Sequence, residues 1–480
     1  MSIPYIIKSF RGGVSDESDK GVAGAFKHGY GLDIHGRDDV LRCASTFATI
    51  DESTINQSIN FFVNAKDGTT YAFGAQGSVY AIAGDPRDPV VSFAYNDENG
   101  GIKGAAEWQL SDGNNYLVWA TNTSLARVLL NSAKDIPWSG ATQDYKTTLD
   151  GAEWHTMDIA SGNLNIANGN FLATIDYSGN FNPAALNVRP GNLIKAIEEL
   201  DDYSILGSTR VDNAGEGHAW SWTPVAKNYV QKKRIPEQGV NAIIQTESLL
   251  AQAGSNGELY QLSFDGLDPI PLIGITGGGK TNPGGVSIEN GLAAFGMFGG
   301  SYPGIWTYGR KRSTHPQALN YQYRLAKTIA GSAISTISAV TNVGGLLMAS
   351  WGTTDGSTSD YGVDMVSSTT YASANYEGLE FDADEPHTKK IFNTVKLVMT
   401  PLPSGATVAV KYKNNWESAW RYAVLGTGAT TFSEADQVEA IFSIDAPAMT
   451  YEVGTEITPG TDTPNVVAIV NYLSEETHDY

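Results

Sequence analysis

The most specific chemical signature in this 480-residue chain is Gly274-Ile275-Thr276-Gly277-Gly278-Gly279-Lys280-Thr281, which satisfies the phosphate-loop (Walker A) pattern letter for letter. That chemistry needs a loop running into a helix whose amides and N-terminus hold the phosphates. Here Asn282-Pro283-Gly284-Gly285 follows, and two glycines directly after a proline do not sustain a helix. No strand–helix–strand pattern surrounds it, so the stretch reads as a glycine-rich loop. The seven histidines (His28, His35, His155, His218, His315, His387 and His478) never stand at i, i+4 on a plausible helix, and HExxH is absent; no zinc site is expected. Carboxylates cluster at Asp38-Asp39, Glu198-Glu199, Asp201-Asp202, Asp382 with Asp384 and Glu385, and Glu475-Glu476. Glycoside hydrolysis takes two carboxyl groups about 5 to 9.5 Å apart across a cleft, a separation that spacing along the chain does not reveal, and these clusters read first as solvated loops. Asp382-Ala383-Asp384 is a candidate calcium loop, and Lys66-Asp67-Gly68-Thr69-Thr70-Tyr71 is one residue short of the aspartate box of sialidases. No GxSxG elbow occurs, so no catalytic residue, cofactor or metal ligand is assigned. Aromatic residues are the remaining candidates. Most of the ten tryptophans should be core, since each buries much apolar area. Trp416 and Trp420, beside polar loops near the C-terminus, could stack on a sugar or sit in a subunit contact.

The elements that would position such residues are hairpins. Residues 249–264, LLAQAGSNGELYQLSF, read as two strands joined by Gly254-Ser255-Asn256-Gly257, a turn in which Gly and Asn take positive φ at low cost. Related hairpins recur. With anchors on the second strand at Tyr80, Leu125, Phe181, Trp220, Tyr260, Trp306 and Val363, the gaps are 45, 56, 39, 40, 46 and 57 residues. A four-stranded propeller blade takes roughly 40 to 50 residues. The expected fold is therefore all-β: a β-propeller of about seven blades over 49–378, preceded by an N-terminal arm over 1–48 and followed by a C-terminal β-sandwich over 379–480. Neither a WD dipeptide nor a kelch motif marks the blades. One segment has helical character: Asn192 can cap a helix on which Leu193, Ile197 and Leu200 share a face. The acidic run 379–386 ends in Pro386 and reads as a linker.

Composition narrows the function. Charged residues make up only 17%, and Asn, Ser, Thr and Gly should carry the surface instead. A net charge of −21 repels phosphate backbones and argues against a broad nucleic-acid-binding face. The basic cluster Lys232-Lys233-Arg234 reads as a solvated strand end. The single cysteine, Cys43, excludes an internal disulfide framework. MSIPYIIKSFRGG lacks the apolar core of a signal peptide, and no apolar run approaches the roughly 20 residues that span a bilayer.

The first 48 residues are unlike the rest. Phe10-Arg11-Gly12-Gly13, Asp19-Lys20-Gly21, Gly24-Ala25-Phe26, Leu32-Asp33-Ile34 and Asp39-Val40-Leu41 resemble the start of a group of tailed-bacteriophage virion proteins, in which such a leader precedes a propeller-like body. His35-Gly36 after Leu32-Asp33-Ile34 departs from that pattern, where a basic residue is expected. The stretch KLVMTPLPSGATVAVKYK resembles the C-terminal sandwich of phage tail proteins in style. The resemblance implies a structural virion component, assembled in the host cytoplasm through contacts with its own copies and neighbouring tail proteins. DNA would pass through a channel without specific binding. The alternative is a carbohydrate-binding or carbohydrate-active propeller that meets a host glycan; a secreted binding propeller is a third, which the missing signal peptide argues against.

Overall fold

The computed structural model describes residues 3–15, 23–36, 39–130, 136–211, 215–355, 358–382, 387–415 and 417–475. The protein is a nearly all-β chain; its helices among the described residues are the single turns Trp138–Gly140 and Ala326–Ile329. By internal contacts it divides into two compact units. One holds residues 47–305 and 325–366, and the other holds 1–46, 306–324 and 367–480. These bounds differ from divisions at 48 and 378.

The larger unit is a β-propeller. Five four-stranded antiparallel meanders follow one another at 59–96, 104–146, 157–187, 192–238 and 240–271. The hairpin at 249–264 lies in the last of these. Leu249–Ala253 pairs with Glu258–Leu262 from Leu249↔Leu262 to Ala253↔Glu258. Gly254 and Gly257 turn the chain at φ of 65° and 80°, as the sequence demands. The hairpin is the middle pair of its sheet, with Val240–Gln245 inside it and Pro269–Pro271 outside. The other hairpin anchors fall likewise on third strands, except Phe181, which opens a fourth strand, Phe181–Asn187.

The innermost strands are Ile59–Asn64, Gly104–Gln109, Met157–Ala160, Asn192–Leu200, Val240–Gln245, Val286–Glu289 and Val340–Val343, each beside the next and the last beside the first. The circuit is fastened at its closure. Asn64 Nδ2 donates to Thr341 Oγ1 and to the Asn342 carbonyl, both at 2.9 Å, and Ser350 Oγ donates to the Ile59 carbonyl at 3.1 Å. The last sheet takes Ser45–Asp51 as its outer strand, so it combines chain from before the first sheet with chain from after the sixth inner strand. Radial closure of this kind leaves only short strand edges.

The apolar cores lie between successive sheets. Phe61, Phe73, Trp119 and Trp154 fill the space between the first and second. Trp108, Val118, Leu164 and Ile175 fill the next, and Leu172, Leu206 and Trp220 the one after. Trp119, Trp220 and Trp351 are fully buried, and each donates its indole N–H inward: to Asp97 Oδ2 at 2.6 Å, Ser208 Oγ at 2.8 Å and Asp364 Oδ1 at 2.7 Å. A large side chain buried this way contributes about 3 kcal/mol, so core packing accounts for these tryptophans.

One sequence expectation fails here. Residues 192–200 form an inner β-strand rather than a helix, with a register shift between Ile194 and Ala196 where it pairs with Tyr203–Arg210. Asn192, Ile194, Ala196, Ile197 and Leu200 are buried and Glu198 is half-buried. Two polar members, Asn192 and Glu198, hide the strand period from a hydrophobic count, and the remaining Leu193, Ile197 and Leu200 mimic helical spacing.

The second unit weaves both ends of the chain together. Ile3–Ile7 pairs with Val466–Glu475, which pairs with Lys390–Met399, which pairs with Glu439–Ala448. A second sheet runs Gly13–Val14, Ala25–Tyr30, Ala374–Gly378, Tyr451–Thr458, Thr407–Asn414 and Arg421–Tyr422. Phe392 of the first sheet stands edge-on to Tyr412 and Tyr451 of the second, at 6.5 and 4.7 Å between ring centroids. The leader is thus core, not a separate arm: Phe10, Phe26, Leu32 and Leu41 are fully buried. A methyl group on Gly12 would collide with the Ala25 backbone nitrogen, and Gly13 takes φ of 75° against the Leu319 carbonyl.

Candidate functional site

The most strongly perturbed acids stand on neighbouring inner strands of the propeller. Thr156 Oγ1 donates to the Lys195 carbonyl at 2.7 Å and so sets the level of Met157–Ala160 against Asn192–Leu200. Two or three residues further along each strand come Asp158 and Glu198. Inner strands are sheet edges, and their outward N–H groups need acceptors. The backbone N–H of Glu199, on the next sheet, lies near the Asp158 carboxyl and that of Gln245, on the sheet after, near the Glu198 carboxyl, each a smaller influence holding its acid down. Burial, reinforced by the charge of Glu199, pushes Asp158 up to about 7. Burial, reinforced by Asp158, pushes Glu198 up to about 8. Glu198, Glu199, Asp201, Gln245 and Thr246 line an adjoining open depression of about 490 Å³. Glu198-Glu199 therefore lies on an inner strand rather than in a loop: Glu198 is half-buried beside the neighbouring sheets, and Glu199 is exposed.

Acid–base catalysis at neutral pH separates two carboxyls into one ionised and one protonated. Burial raises both of these in the same direction.

In the second unit Trp420 is half-buried beneath two cations: Lys411 Nζ lies 4.7 Å and Lys413 Nζ 4.5 Å from its ring centroid. Lys411 and Lys413 alternate along Thr407–Asn414 and so share one face of that strand. Lys411 Nζ pairs with Glu377 Oε1 at 2.7 Å and Glu456 Oε1 at 3.9 Å, while Lys413 Nζ reaches Glu452 Oε2 at 3.8 Å. Lys27 Nζ donates to the other oxygen of Glu452 at 2.6 Å. The side chains of Lys411 and Glu452 are only 7% and 5% exposed, so Trp420 covers a desolvated ion network. Cations over an aromatic ring occupy the face on which a sugar would stack. Trp416 lies outside the described residues, as do Asp38, Glu476 and His478, and Asp384, Glu385 and Pro386 of the acidic linker.

The other sequence candidates are dispersed. The loop 274–281 carries three successive glycines at positive φ, Gly277, Gly278 and Gly279, and leads through Asn282-Pro283-Gly284-Gly285 into the strand Val286–Glu289, with no helix. Lys280 Nζ sits over the Phe298 ring at 5.6 Å. His155 is buried, its ring nitrogens 2.7 Å from the Ala167 carbonyl and 3.1 Å from that of Asn122. Burial lowers His35 and His218 to about 4. Among the described residues no three His, Cys, Asp or Glu side chains are grouped to hold a metal ion. Burial pushes the Cys43 thiol up to about 11. In the basic cluster Lys232 lies over Trp220, Lys233 pairs with Asp268 and Arg234 with Glu216.

The residues resembling an aspartate box make a turn. Asp67 Oδ1 accepts the Thr69 N–H and Asp67 Oδ2 the Tyr71 hydroxyl, both at 2.8 Å. The second sheet repeats it: Asp112 accepts the Asn114 N–H and the Tyr116 hydroxyl, both at 2.9 Å. Asp-Gly-x-x-Tyr is thus a recurring first turn of the early sheets, present in the sequence at both places.

No protein-family model matches the sequence, and no curated protein matches it. Among solved structures, the chain is similar to the WD40 β-propeller domain of Doa1 at TM-score 0.45 and 11% identity, over 67% of this chain and 96% of that one. It is similar to the WD40 repeats of RRP9 at TM-score 0.45 and 11% identity, over 68% and 99%. The extracellular domain of a hybrid two-component system from B. thetaiotaomicron scores 0.44 at 12% identity, over 88% of this chain and 59% of that one. The first two of these are WD40 structures.

Proposed function

We propose that the protein is a structural component of a bacteriophage tail, a nozzle, collar or tail-tip subunit that acts by oligomeric assembly. The observation that supports this is the placement of the leader. The residues carrying the virion-protein resemblance, Phe10, Gly12, Gly13, Gly24, Phe26, Leu32, Ile34 and Leu41, sit in the core and tight turns of the unit that joins the two chain ends. A motif used this way is a folding signature of that unit. The most strongly perturbed acids stand on neighbouring inner strands of the propeller, which suits a scaffold. About seven blades and a C-terminal β-sandwich would present the contact surfaces.

The test is direct. Mass spectrometry of purified tailed-phage particles should find the chain, and labelling should place it on the tail. A chain absent from particles, monomeric when pure, and active on glycosides would overturn the reading in favour of a carbohydrate-active propeller.

A further inference from the structure

The outer strand of each propeller sheet is an edge whose main-chain groups could pair with another chain, and proteins blunt such edges with proline, charge or brevity. Four of the five meanders do so. Thr142–Lys146 is five residues long and carries Asp144 and Lys146. Phe181–Asn187 contains Pro183. Gln231–Gln238 holds Lys232, Lys233, Arg234 and Pro236. Pro269–Pro271 is three residues with two prolines. Ser45–Asp51, outermost in the last sheet, has no exposed large apolar side chain. Asp88–Asn96 of the first sheet is different. It is nine residues long, with no charge after Asp88 and no proline after Pro89. Val90 and Phe93 are 66% and 58% exposed. One side pairs with Ser78–Asp85, and among the described residues no strand is paired to the other.

We propose that this edge joins two copies of the chain, Asp88–Asn96 pairing antiparallel with its mate about a two-fold axis. The strand is self-complementary. The strand shifts register at Ala94, and over the regular stretch Asp88–Phe93, centred between Val90 and Val91, it sets Val90 opposite Val91, Pro89 opposite Ser92 and Asp88 opposite Phe93, so no like charges face each other. With a net charge of −21, two copies repel over most of their surfaces; an uncharged strand is where they approach with least repulsion. The contact deepens the assembly reading and rests on it. Being isologous, it closes on itself and yields pairs, so a ring would use other faces as well.

Sedimentation of the full chain over a wide concentration range at moderate salt, which screens the net charge, is the test. The wild type should pass from 51.3 kDa to twice that mass. Val90→Lys/Phe93→Lys puts charges on the shared edge and should weaken pairing at least roughly 100-fold, with an unchanged melting temperature. Val90→Lys alone should weaken it less. Val225→Lys, at a residue 94% exposed elsewhere, should pair like the wild type. Hydrogen exchange at 90–94 should slow on pairing. A wild type that stays single at every concentration, or a doubly substituted chain that pairs as tightly as wild type, would overturn the proposal. If the wild type stays single in solution yet is found in particles, the edge contact falls and the tail reading stands. Absence of the chain from particles removes the tail reading.

Discussion

Replacing Glu198 by glutamine should make the propeller more stable, and only above acidic pH. Glu198→Gln keeps the size and polarity of the side chain and removes the ionisable group. Glu198 is raised from 4.5 to about 8, first by burial and then by Asp158. At about 1.36 kcal/mol per pH unit the ceiling is near 5 kcal/mol. Part of that belongs to the interaction with Asp158 and is counted once, and the open depression beside Glu198 lets solvent relieve more. An effect of about 1–3 kcal/mol remains. The sign follows from proton counting: the folded chain binds the proton more tightly than the unfolded one. The wild type therefore loses stability as pH rises from about 4.5 through about 8, and the Glu198→Gln variant escapes that share of the loss. Melting curves of both chains at steps from pH 4 to 9 should coincide at the acid end. They should separate by a few degrees at the alkaline end, with the variant higher. A difference that does not change with pH, or a variant less stable at every pH, would show that Glu198 is not held protonated by its surroundings.

Three further outcomes follow from the geometry. Glu377→Gln leaves the nearly buried Lys411 ammonium with a weaker partner and should lower stability by about 2–4 kcal/mol, read by chemical denaturation and by a changed Trp420 fluorescence. Gly12→Ala drives a methyl group into the Ala25 backbone; soluble yield should fall sharply, whereas Gly113→Ala, with open space but φ of 80°, should cost only about 1 kcal/mol. Titration with magnesium–ATP should give no heat for the wild type or for Lys280→Ala, and a saturable signal lost in the variant would restore a phosphate-binding role to 274–281.

Much of the propeller is legible in the sequence because its turns are glycine-marked and its middle strands are apolar. Tyr260, Trp220 and Trp306 announce third strands, since these are buried on both sides between sheets. The inner strands are harder to read. They are edges facing a channel, and they place Asn192, Asp158 and Glu198 where a hydrophobic count expects surface. That is why 192–200 looks helical and why the paired acids look like loop residues. The Asp-Gly-x-x-Tyr turn is readable at Asp67 and Asp112, but only the hydrogen bonds show that one aspartate serves both an amide and a hydroxyl. The lysine cover on Trp420 depends on Lys411, Lys413 and Glu452 meeting across a sheet, which spacing cannot express. The leader's role is hidden for the same reason: Ala25–Tyr30 pairs with Ala374–Gly378, nearly 350 residues away.

The polar composition has a structural cause that surface exposure alone does not supply. An inner strand leaves one row of main-chain groups without a partner in its own sheet, and an unsatisfied buried group costs about 1–3 kcal/mol. Side chains from neighbouring sheets fill that row: Asn60 Nδ2 reaches the Ile102 carbonyl at 2.8 Å, Thr156 the Lys195 carbonyl, and Ser350 the Ile59 carbonyl. Side chains also link to one another, as Asn282 does to Ser338 at 3.2 Å and Ser58 to Ser338 at 3.0 Å. Short neutral groups do this with little desolvation, where lysine or arginine would bring a charge into the same space. The chain therefore uses Asn, Ser and Thr to tie sheet to sheet, and uses carboxylates as well, as where Glu107 accepts the Lys66 N–H at 2.8 Å and Glu199 the Ser161 N–H at 3.2 Å; the acids that burial shifts most are Asp158 and Glu198. There burial favours the protonated form, so Glu198, raised to about 8, is mostly uncharged near neutral pH, and Asp158, raised to about 7, is divided between its two forms.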